Sequence, residues 1–212
     1  MTGTTGRQHG GSARGRVFTA RDLALVAVFA GVMAALGLVP AWTAPGFSVP
    51  ITAQSMGVML AGGVLGGRRG ALSMLVFLAL VAIGLPVLAG GRGGLGVFAG
   101  PSVGFLVGFP VAAYVVGVLS ERLHGVASAT GRLAAALVAN LVGGVVVLYV
   151  FGVLGMAVNL RIPIDEATTL LWIYVPGDLV KVVVAALVVR AVHAGYPGLL
   201  DRAPRRKQTS SV

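Results

Sequence analysis

The stretch LAAALVANLVGGVVVLYVFGVLGMAV, residues 133–158, is strongly apolar and contains no charged side chain. A helix rises about 1.5 Å per residue, so this stretch would reach about 39 Å, more than the hydrocarbon core of a bilayer, which is about 30 Å thick. The stretch therefore predicts a transmembrane helix, with lipid as the solvent around the fold.

The composition of the whole chain agrees with this prediction. Of 212 residues, 57% are hydrophobic and 10% are charged, against about 45–50% and about 25% in soluble domains. No polar linker separates the apolar runs, so we predict one integral membrane domain at 21–195. The polar ends, 1–20 and 196–212, cannot bury enough apolar surface to fold and are predicted to be disordered tails.

Six apolar segments predict an all-α, six-transmembrane-helix bundle: 22–39, 52–66, 70–89, 102–120, 133–158 and 167–194. The second is interrupted by Gln54 and several glycines, so it predicts either a short span or a partly re-entrant segment. The first is predicted to be a retained helix, because its apolar run exceeds that of a signal peptide and five further runs follow.

The basic residues predict the topology. With six spans, the N-terminal tail, the turn at Arg68 and Arg69, the connection between Arg122 and Arg132, and the C-terminal tail all lie on one side. Basic connections face the cytoplasm, so both termini are predicted to be cytoplasmic. The net charge of +10 then reflects topology, which argues against a nucleic acid partner.

Several classes of chemistry are excluded or disfavoured. The chain has no cysteine, which excludes disulfides, thiolate catalysis and Cys-ligated metals. It has no HExxH or GxxxxGK[ST] motif, so we predict that it is not an enzyme and that any ATP is used by partner proteins. The three histidines have no metal-ligand spacing, so no metal site and no cofactor are predicted.

The sixth segment contains VPGDLVK, residues 175–181, with two opposite charges inside an apolar run. Pro176 and Gly177 predict a kink or local unwinding near 172–178. Asp178 and Lys181, three positions apart, share one helix face. Each charge alone at mid-membrane costs about 2.5–3.5 kcal/mol, so they are expected to face the bundle interior and either form a structural ion pair or bind a ligand.

A glycine-rich connection, AGGRGGLGVFAGPS at residues 89–102, joins the third and fourth segments. Its glycines, at 90, 91, 93 and 94 among others, permit a flexible lid that carries one cation, Arg92. The embedded GxGxxG does not predict a dinucleotide site, because the connection follows an apolar helix and lies on the extracytoplasmic side.

Other polar positions have two interpretations each. Thr52 and Gln54 could bond a polar ligand or a neighbouring helix. Ser102 could contact a ligand or cap the fourth helix. Trp172 and Tyr174 lie near a span end or break, where interfacial anchoring is expected.

Small residues Ala27, Gly31 and Ala35 recur every fourth position along the first segment. Small side chains at this spacing let another helix approach closely in lipid. The stripe predicts a packing face, either within this bundle or toward a separate membrane subunit.

Three stretches together resemble the BioY family, the biotin-specific substrate-binding components of energy-coupling factor transporters. They are VPITAQS (49–55), GLPVLAGGRGGLGVFAGPSVGF (84–105) and VPGDLVK (175–181). The chain departs from the family pattern at Ser102, Val103 and Phe105, where a GPTGGY-like run is expected.

The resemblance implies a six-helix component of the bacterial cytoplasmic membrane that binds biotin from outside, with a coupling transmembrane subunit and two ABC-type ATPases as partners. It implies ligand contacts at Asp178, Lys181 and the connection residues Gly90, Gly91, Arg92, Gly93 and Gly94. It also implies a coupling-subunit contact at the stripe Ala27, Gly31 and Ala35.

Biotin offers ureido donors and an acceptor, a carboxylate and an apolar ring. Asp178 suits the ureido N–H groups, and Lys181 or Arg92 suits the carboxylate or the ureido oxygen. Two other hypotheses are a stand-alone facilitator or channel for a small anionic vitamin-like solute, and a membrane scaffold with a structural ion pair.

Overall fold

The computed structural model describes residues 18–46, 48–123, 126, 128–196 and 198–200, so the predicted tails lie almost wholly outside the described residues. Within them the chain is helical, and only two isolated bridge pairs adopt β geometry. The helices are α1 Ala20–Gly37, α2 Gln54–Leu65, α3 Gly67–Ala82, α4 Val103–Leu123, α5 Ala129–Leu141, α6 Leu148–Leu160, α7 Ile164–Leu170 and α8 Val175–Gly195.

Helices α5 and α6 form one rod, Ala129–Leu160, because the π-helical turn Val142–Val147 joins them. In the described part of the chain, this rod, α1 and α4 are long and apolar enough to cross a membrane. Helices α7 and α8 make a fourth candidate if the pair, bent by 60°, counts as one span. The all-helical, membrane-type fold is thus confirmed.

Helix α2 is the centre of the bundle, with α1, α3, α4 and α8 packed around it. Glycine makes this possible at Gly62, where a Cβ would clash with the Ala113 carbonyl oxygen and lie 2.8 Å from Val116 Cβ. Helix–helix packing in lipid depends on such close approach. A short helix with 12 residues is therefore held inside the bundle by its neighbours.

The π-helical turn orients the residues that follow it. A π turn holds one more residue than an α turn, so the residues beyond it are rotated by about 100° relative to a regular helix. Just before the turn, the buried Asn140 side chain donates to the Val182 carbonyl oxygen at 3.4 Å. Just beyond it, the Tyr149 hydroxyl reaches Asp178 on α8.

One end of the bundle carries most of the described arginines, and we call it the basic end. Here Arg69 is 6% exposed and its Nη1 pairs with Asp22 Oδ1 at 3.1 Å. Its Nε donates to the Leu65 carbonyl at 2.9 Å, and its Nη2 donates to the Leu199 carbonyl. The Gly67 amide donates to Glu121 Oε1 at 3.0 Å. The Arg69 side chain therefore joins α1, α2 and the segment after α8.

Candidate functional site

A cavity of about 70 Å³ lies at the end of the bundle opposite the basic end, and we call it the site cavity. It is enclosed by the starts of α2, α4 and α8, by α6, and by the glycine-rich connection. Its polar lining includes Thr52, Ser55, Arg92, Tyr149, Asp178 and Lys181. Apolar side chains such as Phe105 and Leu148 form the rest of the wall.

The two charges of α8 form an ion pair beside this cavity. Lys181 Nζ lies 2.8 Å from Asp178 Oδ1, and the side chains are only 16% and 9% exposed. Ser55 connects the two, since its Oγ accepts from Lys181 Nζ at 3.0 Å and donates to Asp178 Oδ1 at 3.2 Å. The prediction that both side chains share a face and turn inward is confirmed.

Asp178 has a further donor on α6. The Tyr149 hydroxyl donates to Asp178 Oδ2 at 2.8 Å, so both carboxylate oxygens are hydrogen-bonded. The ammonium group of Lys181 has three donors, and its bonds to Ser55 and Asp178 leave one without a partner among the described residues. A fixed acid and a partly unsatisfied cation thus face one cavity.

The break before α8 has the predicted place and a clear cause. Pro176 lies in the first turn of α8, where its missing N–H costs nothing. Tyr174, at the break, is 7% exposed and donates to the Val49 carbonyl at 2.5 Å. Its ring also contacts Phe105, with centroids 6.4 Å apart. The expectation that Tyr174 is an interfacial anchor is wrong.

The glycine-rich connection folds back over the cavity as a tight turn. Leu88 and Arg92 exchange backbone hydrogen bonds of 3.0 and 3.2 Å, and Gly90 and Gly91 between them have φ of 79° and 68°. Such left-handed backbone favours glycine. Arg92 lines the cavity, and its Nε donates to the Ala89 carbonyl at 3.2 Å. The glycines at 90, 91, 93 and 94 are not among the lining residues.

Gln54 fixes this connection to the bundle. Its Oε1 accepts from the Ala89 amide at 3.1 Å, and its Nε2 donates to the carbonyls of Val87 at 3.1 Å and Met33 at 3.3 Å. The side chain is 2% exposed. Gln54 therefore lines the cavity with an amide that already has three protein partners. Thr52 Oγ1 accepts a hydrogen bond from the backbone N–H of Gln54 at 3.3 Å.

Ser102 presents a buried polar atom to the cavity. The residue is 8% exposed, and its Oγ has no hydrogen-bond partner among the described residues. A buried hydroxyl without a partner costs about 1–3 kcal/mol. The hydroxyl does not cap α4, so it is available to a polar group in the cavity.

The small-residue stripe of α1 faces outward. Ala27, Gly31 and Ala35 are exposed, whereas Ala30 and Met33 on the opposite face are buried. A Cβ at Gly31 would meet nothing within 4 Å. The interpretation that this stripe packs within its own bundle is therefore wrong.

Sequence reasoning missed Ser55 and Tyr149. Ser55 ends the stretch VPITAQS, and Tyr149 is the single hydroxyl-bearing residue of the uncharged stretch 133–158. Those features were a usable signal, because polar groups inside apolar spans face the bundle interior. Within the described residues no cluster of His, Asp and Glu suits a metal ion.

These features define an integral membrane protein with a charged, partly enclosed cavity inside an apolar helical bundle. The chain belongs to the BioY family, whose profile matches residues 9–198.

Relatives of known name support the same assignment. The "Biotin transporter BioY" of Rhizobium etli is 52% identical over 185 residues, covering 86% of this chain and 98% of that protein. The "Biotin transporter BioY" of Rhodobacter capsulatus is 50% identical over 189 residues, covering 85% and 97%. A crystal structure of the S-component for biotin from an ECF-type ABC transporter superposes with a TM-score of 0.77 at 30% identity, covering 84% of this chain and 95% of that one.

Proposed function

We propose that this chain is the substrate-binding component of an energy-coupling factor transporter and that it binds biotin in the site cavity. The observation that carries the proposal is the buried Asp178–Lys181 pair beside a cavity, with one Lys181 donor unsatisfied among the described residues. Charges inside a membrane bundle commonly mark substrate paths. The fold's similarity to a biotin S-component gives the ligand its identity.

The cavity offers what the three parts of biotin require. Asp178 accepts from ureido N–H groups, and Lys181 donates to the ureido oxygen or the carboxylate. Arg92, on the glycine-rich connection, supplies the second cation. The Ser102 hydroxyl adds a neutral hydrogen bond to the ligand. This bond offsets the free-energy cost of burying the hydroxyl without a partner. Phe105 and the other apolar lining residues bury the thioether ring.

Binding requires the site cavity to expand. Its volume of about 70 Å³ is well below the roughly 300–1,000 Å³ of small-molecule pockets. The glycine-rich connection is the element suited to move, because Gly90 and Gly91 relax its backbone. The hydrogen bonds of Gln54 to Val87 and Ala89 would hold the start of the connection in place while the rest of it moves.

The topology follows from the same proposal. Helices α2 and α3 count as short spans, giving six crossings, with both termini and the basic end in the bacterial cytoplasm. The site cavity then opens to the extracytoplasmic side. The chain itself uses no cofactor, and two partner ATPases supply the energy of transport through a coupling membrane subunit.

Titration of the purified chain with biotin tests this function. We expect saturable binding in an isothermal titration, with one biotin per chain and no comparable heat from a vitamin that lacks a ureido ring. No binding at micromolar biotin would contradict the proposal. Biotin uptake into proteoliposomes that hold this chain alone would instead favour a facilitator.

A large side chain at the exposed position Gly31 should uncouple binding from transport. Gly31→Leu fills open space on α1 and raises helix propensity by about 0.8 kcal/mol, so the fold and biotin binding should persist. Association with the coupling subunit should weaken about tenfold, the effect of losing about 1.4 kcal/mol of close packing. Co-purification of the two subunits from a joint expression measures this.

The control for Gly31→Leu is Ala134→Leu, which adds bulk at an exposed position of α5 away from the stripe. Association that is equally weak, or equally strong, in both variants would place the coupling contact elsewhere.

A further inference from the structure

The chain between α3 and α4, residues 83–102, turns an apolar surface away from the bundle. Leu95 is 75% exposed, Ile83 is 74% exposed and Leu85 is 40% exposed. We call these three side chains the outer patch. The same segment places Arg92, its one charged residue, in the lining of the site cavity. Nothing in the binding of biotin uses the outer patch, and a group of exposed apolar side chains marks a contact with another apolar surface.

The backbone places Leu95 beside the last turn of α3 and not beyond its end. The Gly94 amide donates to the Val81 carbonyl oxygen at 2.7 Å, so Leu95 lies near the level of Val81. The backbone that leaves α3 runs alongside, since a Cβ at Gly93 would clash with the Leu85 carbonyl oxygen. The side chains of the outer patch therefore lie together at the end of α3.

The length of α3 gives the depth of this level in the membrane. Helix α3 has 16 residues, beginning with Gly67 at the basic end, and Val81 is the last but one. At about 1.5 Å per residue, Val81 lies about 21 Å from Gly67. The hydrocarbon core is about 30 Å thick. With the basic end at the cytoplasmic boundary, Leu95 lies about 9 Å inside the extracytoplasmic boundary, and a tilt of α3 would place it deeper.

The outer patch also continues two surfaces that face lipid. Leu75, Ala79 and Ile83 are all exposed, and residues four apart share one helix face. On α4, Val107 is exposed one turn after the helix begins. The 3₁₀ turn that begins at Leu95 packs against α4. The patch thus lies between apolar faces of two membrane helices, with no charged residue among its members.

We propose that acyl chains of the outer leaflet cover the outer patch, so that the glycine-rich connection has lipid on one side and the site cavity on the other. The inference rests on the topology given under the proposed function. Apolar side chains move from lipid to water only at a cost in free energy. The element that must move for biotin to enter would therefore move within the lipid and not out into water.

Single cysteines test this arrangement, because the chain has no cysteine of its own. The full chain is reconstituted into phosphatidylcholine vesicles with a fluorophore attached at Leu95→Cys or at Ile83→Cys. We expect nitroxides on the lipid acyl chains to remove most of the fluorescence of both labels, and iodide on both sides of the membrane to leave it unchanged. Leu75→Cys, on the exposed face of α3, should give the same result. Glu166→Cys, an exposed charged position on α7 at the same end of the bundle, should give the opposite result.

Two outcomes of the quenching would overturn the proposal. Quenching of both patch labels by iodide alone would place the outer patch in water. Shielding of both labels from both quenchers would show that a protein surface, such as a second copy of the chain, covers the patch.

A second measurement uses the thiol alone, which has no fluorophore that prefers lipid. A charged, membrane-impermeant thiol reagent should modify Leu95→Cys at least about tenfold more slowly than Glu166→Cys, because apolar surroundings suppress the reactive thiolate. Equal rates would overturn the proposal. Neither readout requires biotin, so patch positions that lie in lipid on a chain that fails to bind biotin would contradict the proposed function and support this inference.

Discussion

Lys181→Ala should weaken biotin binding by about 2 kcal/mol or more, at least about thirtyfold in Kd, because truncating one partner of a buried charged contact leaves the other unpaired. In this site the loss has two sources. The ligand loses a donor, and Asp178 keeps a buried negative charge that only Ser55 and Tyr149 then satisfy. Isothermal titration with biotin measures the change.

The control for Lys181→Ala is Arg161→Ala, which removes an exposed positive charge at the end of α6, outside the site cavity. Its Kd should equal that of the unmodified chain. A folded Lys181→Ala that binds biotin as Arg161→Ala does would remove Lys181 from the site.

A double variant separates ligand binding from structural pairing. Asp178→Asn/Lys181→Met removes both charges while keeping side chains of similar size, and such replacements of buried pairs are often neutral for stability. We expect a folded protein that does not bind biotin. If the double variant instead bound biotin normally, the pair would serve the fold alone, as in the scaffold hypothesis.

The fold could be predicted where apolar runs were continuous, and less well where an apolar run was not a helix. The segments at 22–39, 102–120 and 133–158 correspond to α1, α4 and the α5–α6 rod. The segment predicted at 70–89 contains a helix that ends at Ala82. Residues 83–86 are apolar but exposed, and only Val87, Leu88 and Ala89 lie against the bundle, so hydropathy alone does not separate this connection from a helix. Gly84, with φ of 105°, marks the break.

The chemistry of the site was predictable from charge, and its geometry was not. Asp178 and Lys181 were singled out because charges inside apolar sequence are costly, and Arg92 because it is the one cation of the glycine-rich connection. Tyr149 was missed because the sequence does not show the π-helical turn before it. That turn rotates Tyr149 toward α8, away from the direction that a regular helix would give it. The outward direction of Gly31 also could not be predicted. Alanines lie on several faces of α1, so the sequence does not show which small-residue face points away from the bundle.

Charge counting also treats all loop arginines alike, and the structure separates two neighbours. Arg68 is exposed and lies over the Phe18 ring at 5.8 Å, whereas Arg69 is buried. The number of basic residues near a helix end predicts the side of the membrane on which that end lies. It does not predict whether a given arginine side chain is buried or exposed.

Arg69→Ala should therefore destabilise the protein by about 3 kcal/mol, the lower part of the range for breaking a buried pair, since Asp22 is 25% exposed. The variant also removes the donors to the Leu65 and Leu199 carbonyls, which join the end of α2 to the segment after α8. The free energy of unfolding, measured by denaturant titration in mixed micelles and followed by circular dichroism, gives the loss.

Arg68→Ala is the matched control, because it deletes the same charge one residue away and removes only an exposed contact with Phe18. Exposed ion and ring contacts contribute about 1 kcal/mol or less, so this variant should unfold close to the unmodified chain. If Arg68→Ala and Arg69→Ala were equally stable, the buried network of Arg69 would contribute little and the basic end would be held by helix packing alone. If only Arg69→Ala is destabilised, the basic residue that contributes to the predicted topology also holds α1 and the segment after α8 against the bundle.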